Sequence, residues 1–226
     1  MSTLTAKAWL VADTEGKILG GTNITDVRSI ASITKLITVM IVLDANQNMD
    51  EVIASNLYSR NMTRRELISL AIIKSDNKAA KILCEKYVTG YTGCVAAMND
   101  KAISLSMMHT KFVEPTGLYN ENVSTAEDLL KLVIAASKYP VINEDSNKDK
   151  IAFSNKNKRP AVYGNTNKLV GHGYDFLVSK TGWITRSGGC IVMMMNTNLG
   201  QRIVVLLGSK DTKTRIPEAR LIAFSY

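Results

Sequence analysis

Residues 30–44 read Ile-Ala-Ser-Ile-Thr-Lys-Leu-Ile-Thr-Val-Met-Ile-Val-Leu-Asp. Leu36, Ile37, Val39, Met40, Ile41, Val42 and Leu43 leave the segment apolar nearly all round. A helix that is apolar on every side has to be buried, so Ser32–Asp44 is expected to run as a helix through the middle of the molecule. Its start carries Lys35, three positions after Ser32.

Outward from this helix, Ala6–Ala12 reads as a strand, Asp13-Thr-Glu-Gly16 as a turn, and Lys17–Gly20 as the start of a second strand. Residues 50–136 follow a helical pattern. Thr63-Arg-Arg-Glu66 has the form of a capping box, with Leu67, Leu70 and Ala71 following at helical spacing. Lys78–Tyr87 and Val95–Ser106 are further candidate helices. Ser124-Thr-Ala-Glu127 reads as a second capping box, opening a helix through Leu129, Leu132, Val133 and Ala136. Beyond Tyr139 the chain is rich in lysine and asparagine and is expected to be loop. Strands then follow at Asp175–Thr181, Gly189–Asn196 and Arg202–Gly208, the last two around a hairpin turn at Thr197-Asn-Leu-Gly200. These two runs are apolar on both faces, which predicts a sheet covered on both sides. Arg215–Tyr226 closes the chain as a helix with Pro217 in its first turn.

The order of elements predicts an α/β fold, an antiparallel sheet flanked by helices with an all-helical lobe inserted between its strands. Residues 1–226 form one domain on this reading. Residues 1–45 and 140–226 make the sheet-containing lobe and residues 46–139 the helical lobe.

Composition narrows the functional classes. The chain has 226 residues, 46% hydrophobic and 21% charged, which sets aside disordered and fibrous proteins. Its apolar runs, Val39–Leu43 among them, fall far short of the ~20 residues that span a bilayer. No basic segment followed by an apolar one marks a signal peptide at the N-terminus. Cys84, Cys94, Cys190, His109 and His172 have no metal-ligand spacing, so neither a metal nor a histidine-based protease is expected, and no cofactor is implied. Cys84 and Cys94 can pair, but an odd total gives no disulfide framework. Cys190 and Met193–Met195 read as buried strand, and the two histidines as structural.

The net charge of +8 is spread from Lys7 to Arg220 without a block of like charges. Its densest stretch, Asn147–Lys168, holds Lys148, Lys150, Lys156, Lys158, Arg159 and Lys168 and reads as a solvated basic loop. Aromatic interleaving is absent, so nucleic acid is not an expected partner. A cationic surface also suits an anionic polymer such as a bacterial wall.

Three short motifs carry chemistry. In Ser32-Ile-Thr-Lys35, residues i and i+3 share a helix face, so the lysine amine can approach the serine hydroxyl. Serine is a poor nucleophile until a base takes its proton. Lysine can be that base once burial lowers its pKa, and the apolar run after Lys35 supplies the burial. The helix N-terminus favours the developing alkoxide. Ser75-Asp-Asn77 lies where the Thr63 helix gives out, and Lys180-Thr-Gly182 lies among the C-terminal strands. Each motif alone is common. Their conjunction, in this order and these contexts, is informative.

On these motifs the chain resembles the low-molecular-mass penicillin-binding proteins, the serine D-alanyl-D-alanine carboxypeptidases and endopeptidases. The similarity extends through Leu70–Ala80, through Phe112–Leu132 (FVEPTGLYNENVSTAEDLLKL), and through Asn165–Leu169 and Ser179–Ile184. The run KTGWITRSGGCIVMM is nearer the endopeptidase branch. The resemblance implies a fold of the serine β-lactamase and DD-peptidase type. It also implies hydrolysis of D-alanyl peptide bonds in peptidoglycan stem peptides, with β-lactams as covalent inhibitors. Ser32 would be acylated and Lys35 would be its base. Ser75 would relay a proton to the leaving amine, Asn77 would hold the substrate backbone, and Lys180 would place positive charge beside Ser75. Thr181 would bind the terminal carboxylate, with Arg215 assisting and Arg186 a weaker candidate for the same task. The backbone N–H groups of Ser32 and Trp183, next to Gly182, would form the oxyanion hole.

Three departures qualify the resemblance. Glu114-Pro115 is superficially similar to the deacylating glutamate of class A β-lactamases, but Thr-Gly-Leu follows, the peptidase pattern. A penicillin adduct is therefore expected to persist. The C-terminal β-domain and amphipathic anchor of many family carboxypeptidases do not follow before Tyr226. The family works at the cell wall or periplasm, yet no signal is visible in this chain. A trimmed chain or delivery by another route, such as phage lysis, would account for that. The alternatives are a β-lactamase and a penicillin-acylated wall-binding module without turnover.

Overall fold

The computed structural model describes residues 4–155 and 158–226. The chain opens with β1 (Ala8–Ala12) and β2 (Ile18–Thr22) as a hairpin. β3 (Arg28–Ser29) then leads through one 3-10 turn, Ala31–Ile33, into α1 (Thr34–Asp44). Every residue from Thr34 to Val42 is buried, Lys35 included, as a run with no polar face demands.

A short pair, β4 (Val52–Ile53) and β5 (Met62–Thr63), precedes α2 (Arg64–Ser69). Its capping box is complete. The Thr63 hydroxyl accepts from the Glu66 amide at 3.1 Å, and the Glu66 carboxylate accepts from the Thr63 amide at 2.9 Å. α2 widens into a π-helical turn, Leu70–Lys74, and α3 (Asn77–Glu85) and α4 (Gly90–Ser104) follow. α4 starts before the expected Val95, although Gly90 and Gly93 are poor helix formers. A Cys84–Cys94 disulfide ties its first turns to α3.

β6 (Val123–Ser124) pairs with β3, and α5 (Ala126–Ala136) comes next. The second capping box is not formed as expected. The cap lies one residue later, with Thr125 accepting from the Asp128 amide at 3.1 Å, because Ser124 is engaged as the β6 partner of Arg28.

The stretch expected to be loop after Tyr139 is largely ordered. α6 (Pro140–Ser146) has proline at its first position, where the missing N–H costs nothing. β7 (Lys150–Asn155) and β8 (Lys158–Gly164) form a separate hairpin. Lys148 is ion-paired with Glu144 and Asp145 rather than free in a basic loop. Lys156 lies outside the described residues.

β9 (Phe176–Ile184), β10 (Gly188–Thr197), β11 (Gly200–Ser209) and α7 (Arg215–Ser225) complete the chain. The main sheet has the order β2-β1-β11-β10-β9 and is antiparallel throughout. Alternation sorts its central strands between two cores. Leu10, Val192, Met194, Val205 and Leu207 join α1 and α5 on one side. Val11, Ile191, Met193, Met195, Val204 and Leu206 pack with Ala219, Ile222 and Ala223 of α7 on the other. Cys190 is free and buried, and burial raises its thiol pKa.

β9 is the edge strand on which the site depends. Its first half is covered by α6 and the residue after it. The Ser146 hydroxyl accepts from the Ser179 amide at 3.0 Å, and the Asn147 side chain accepts from the Phe176 amide at 2.8 Å and donates to the Phe176 carbonyl. The second half, Lys180–Trp183, faces the turn that carries Ser32. An uncovered strand edge is a template for pairing with an extended peptide.

Candidate active site

Ser32 sits in the 3-10 turn just before α1, so its backbone lies at a helix N-terminus. Ala31 precedes it at φ 47°, a left-handed conformation uncommon for alanine. Two glycines close on this turn. A Cβ added to Gly182 would lie 2.9 Å from the Ser32 nitrogen, and one added to Gly117 would overlap the Ala31 carbonyl. Gly117 also has φ 83°. Gly117→Ala is therefore expected to cost about 2–3 kcal/mol through overlap and backbone strain. A denaturant melt measures this, and an unchanged midpoint would refute the packing argument.

Lys35 has no solvent exposure, and its Nζ has three neighbours. They are Ser32 Oγ at 2.8 Å, Asn77 Oδ1 at 2.7 Å and the Thr116 carbonyl oxygen at 2.6 Å. The last two can only accept. A neutral amine that donates its two hydrogens to them keeps its lone pair for the Ser32 hydroxyl. Burial lowers the Lys35 pKa to about 7, and Glu114 and Asp76 partly oppose that fall. The sequence paired Ser32 with Lys35 but did not reveal Thr116. Its carbonyl is held by a turn in which the buried Glu114 carboxylate accepts from the Thr116 amide (2.6 Å), the Thr116 hydroxyl (2.6 Å), the Gly117 amide (2.5 Å) and the Asn122 side chain (2.9 Å).

Ser75, Asp76 and Asn77 divide their work by local backbone. The π turn ends with Ser75 in the left-handed region, φ 58°. Asp76 caps α3, accepting from the Ala79 amide at 2.9 Å and from the Tyr58 hydroxyl at 2.6 Å. Asn77, the first residue of α3, reaches Lys35. The Ser75 hydroxyl accepts from Lys180 Nζ at 2.8 Å, and that amine also donates to the Thr181 carbonyl at 2.9 Å. Burial, then repulsion by Lys35 and Arg215, holds Lys180 well below the ordinary lysine range.

Along the same edge, the Thr181 hydroxyl donates to the Thr166 hydroxyl at 2.6 Å. Thr166 was not singled out by the sequence except within Asn165–Leu169. Its amide is anchored on the Ile73 carbonyl at 3.1 Å. Arg215, buried at the start of α7, donates from Nη1 to the Gly182 carbonyl at 2.6 Å. Trp183 is half-exposed beside Gly182. Arg186 is not brought to this cluster; it lines a separate recess with Arg28. Thus Ser32, Lys35, Ser75, Asn77, Lys180, Thr181, Gly182 and Arg215 converge where the helices meet the β9 edge, while His109 and His172 are exposed elsewhere.

Known proteins share this arrangement's fold and sequence. A D-alanyl-D-alanine endopeptidase of Escherichia coli (strain K12) is 39% identical over 210 residues, spanning 85% of this chain and 67% of the relative. One from Pseudomonas aeruginosa is 36% identical, over 90% of this chain and 71% of the relative. The solved structure of penicillin-binding protein D2 from Listeria monocytogenes, in its ampicillin-bound form, is 27% identical with a TM-score of 0.86, covering 98% of this chain and 97% of that one. A variant of the Streptomyces K15 DD-transpeptidase, 23% identical, has the same fold at a TM-score of 0.90, with 98% and 97% covered. The family model for D-alanyl-D-alanine carboxypeptidase matches residues 1–211. The expectation of an antiparallel sheet flanked by helices therefore holds, and the chain belongs to the D-alanyl-D-alanine carboxypeptidase family of serine DD-peptidases.

Proposed function

We propose that Ser32 attacks the carbonyl of the penultimate D-alanine in peptidoglycan stem peptides, and that penicillins acylate the same oxygen. The observation that carries this reading is the Lys35 amine, buried and shared between Ser32 Oγ and two carbonyl acceptors. Lys35 takes the Ser32 proton as the C–O bond forms. The tetrahedral oxyanion is received by the backbone N–H groups of Ser32 and Trp183, and such preorganised donors are each worth about 10²–10³ in rate. Ser75 then passes a proton to the leaving amine, drawing on Lys180 Nζ at 2.8 Å. The arriving terminal carboxylate opposes the repulsion from Lys35 and Arg215 and so favours the charged form of Lys180. Thr181 and Arg215 hold that carboxylate, and Asn77 orients the peptide backbone. Water attacks the acyl-enzyme in the second half of the cycle.

Both relatives named above are called endopeptidases, and this supports cleavage of cross-links as well as of terminal residues. The working site is the cell wall or periplasm. Among the described residues no helix is long and apolar enough to cross a membrane. Residues 1–226 act as one catalytic domain, with the sheet-containing lobe (1–45 and 140–226) and the helical lobe (46–139) meeting at Ser32.

Incubation with benzylpenicillin, followed by intact mass over hours and mapping of the modified residue, tests the proposal. One long-lived adduct on Ser32, absent in Ser32→Ala, is the expected result. Rapid release of hydrolysed drug would mean a β-lactamase instead. No adduct would overturn the catalytic reading.

A further inference from the structure

The terminal carboxylate belongs, on the reading above, beside Lys180 and Thr181, one step before Gly182 on β9. The acyl portion of a peptide laid along this edge must then run the other way, past Trp183 and Ile184 toward the turn into β10. There a recess of about 220 Å³ opens between β3, the loop after Gly117 and that turn, and it is lined by Arg28, Ser29, Asn120, Arg186 and Ser187.

Three observations mark this recess as one whose arginines have no carboxylate partner. No carboxylate lines it, although it brings together two guanidinium groups. Arg28 is partly buried, its Nε is fully buried without a partner, and it forms no ion pair among the described residues. Ser29 is more than nine-tenths buried, and its hydroxyl also has no partner. Buried polar groups are nearly always paired in native proteins, and each one left unpaired costs about 1–3 kcal/mol. The Arg28 charge is also felt inside the sheet: it is one of the groups that act on the buried Cys190 thiol. A carboxylate suits such a site, because guanidinium presents a planar fork that matches its two oxygens. The reach is also suitable. A strand advances about 3.3 Å per residue, so the turn at Arg186 lies within about 13 Å of Gly182. That distance is filled by one alanine and a preceding residue with a long side chain.

We infer that this recess is a carboxylate subsite for the acyl-donor peptide, taking a side-chain carboxylate on the residue before the penultimate D-alanine. The inference rests on the proposed polarity of the peptide along β9. It assigns Arg28 and Arg186 to substrate selection rather than to bond cleavage. A dicarboxylic residue at that position is therefore preferred over a neutral or cationic one.

Two synthetic peptides test it, N-acetyl-L-α-aminopimelyl-D-alanyl-D-alanine and the same peptide with the side-chain carboxylate converted to a carboxamide. The wild-type protein should favour the carboxylate in kcat/KM by about tenfold or more, the usual scale for a charge-assisted hydrogen bond. Arg28→Gln and Arg186→Gln should each bring that ratio toward one. Because the ratio compares two substrates within one variant, a general loss of folded protein cancels. Arg186 lies on an exposed turn, so its variant does not depend on core stability. A wild-type ratio near one, or a preference that survives in both arginine variants, overturns the inference. Benzylpenicillin run in parallel separates the two failures. A Ser32 adduct with no carboxylate preference removes this subsite alone, whereas no adduct and no cleavage of either peptide removes the catalytic reading with it.

Discussion

Replacing Lys35 with methionine is expected to slow acylation of Ser32 by benzylpenicillin by about 10²–10⁴, the range that general-base catalysis contributes. Methionine keeps the unbranched apolar stem of lysine, one atom shorter, but cannot accept the hydroxyl proton. The wild-type rate should also report the titration of the amine. Burial brings the Lys35 pKa down to about 7. Below that pH the amine is protonated, its lone pair is occupied, and the rate should rise about tenfold per pH unit. Above it the rate should level off. Folding stability carries the same signature with a definite sign. Unfolded chains hold the lysine proton up to the ordinary value of 10.5, whereas the folded chain releases it near 7. Between these values the unfolded state binds more protons, so raising the pH stabilises the fold. Below about 7 both states are protonated and the full cost of burying the cation is felt. Lys35→Met should lose this dependence. Stopped-flow acylation and urea melts from pH 6 to 10 provide both readouts. A rate that is flat through pH 7, or a methionine variant that acylates at the wild-type rate, would remove Lys35 from the role of base.

Glu114→Ala is expected to lower stability by about 3–5 kcal/mol, the cost of leaving several buried hydrogen-bond donors without their acceptor. The carboxylate is 5% exposed and accepts four hydrogen bonds, from Thr116 N–H and O–H, the Gly117 amide and the Asn122 side chain. In a chain of this size the loss corresponds to a melting point lower by on the order of 10 °C. Glu114→Gln should recover only part of it, because an amide NH₂ would face donors. The same turn presents the Thr116 carbonyl to Lys35, so acylation should slow in the folded fraction as well. The lifetime of the penicillin adduct separates this role from a deacylating one. Both oxygens of Glu114 are engaged within its own loop, so the alanine variant should release the drug no more slowly than the wild type. A markedly longer-lived adduct would show that Glu114 activates water, and an unchanged melting point would show that the turn does not need it.

The candidate catalytic residues were readable because their spacing is local chemistry. Ser32 and Lys35 lie three positions apart on a helix whose burial is announced by Leu36–Leu43, and Ser75 and Asn77 bracket a helix cap at Asp76. Other parts were misread where a local pattern had two solutions. Ser124 and Thr125 both suit an N-cap, and strand pairing with Arg28 decided for Thr125. Residues 140–164 look like loop by composition, yet Pro140 opens a helix and Lys150–Asn155 pairs with Lys158–Gly164. Arg186 and Arg215 are alike in sequence, both placed after the Lys180 motif. Only the path of β10 and β11 brings Arg215 back to Gly182 and leaves Arg186 at the turn.

By itself, then, the sequence determined the central buried helix, the sandwich of an antiparallel sheet between helices, and the three motifs proposed to supply nucleophile, relay and carboxylate contact. Hydrophobic periodicity and short-range spacing depend on neighbours within about one or two turns of the chain, and such information is written locally. Tertiary structure alone decided which acceptors orient the Lys35 amine, why Glu114 is bound up in its own loop, how Gly117 and Gly182 admit two backbones to Ser32, and which recess Arg28, with its unpaired Nε, lines together with Arg186. These contacts join residues far apart in sequence. Their energies come from burial and exact approach of backbone groups, which no local pattern encodes.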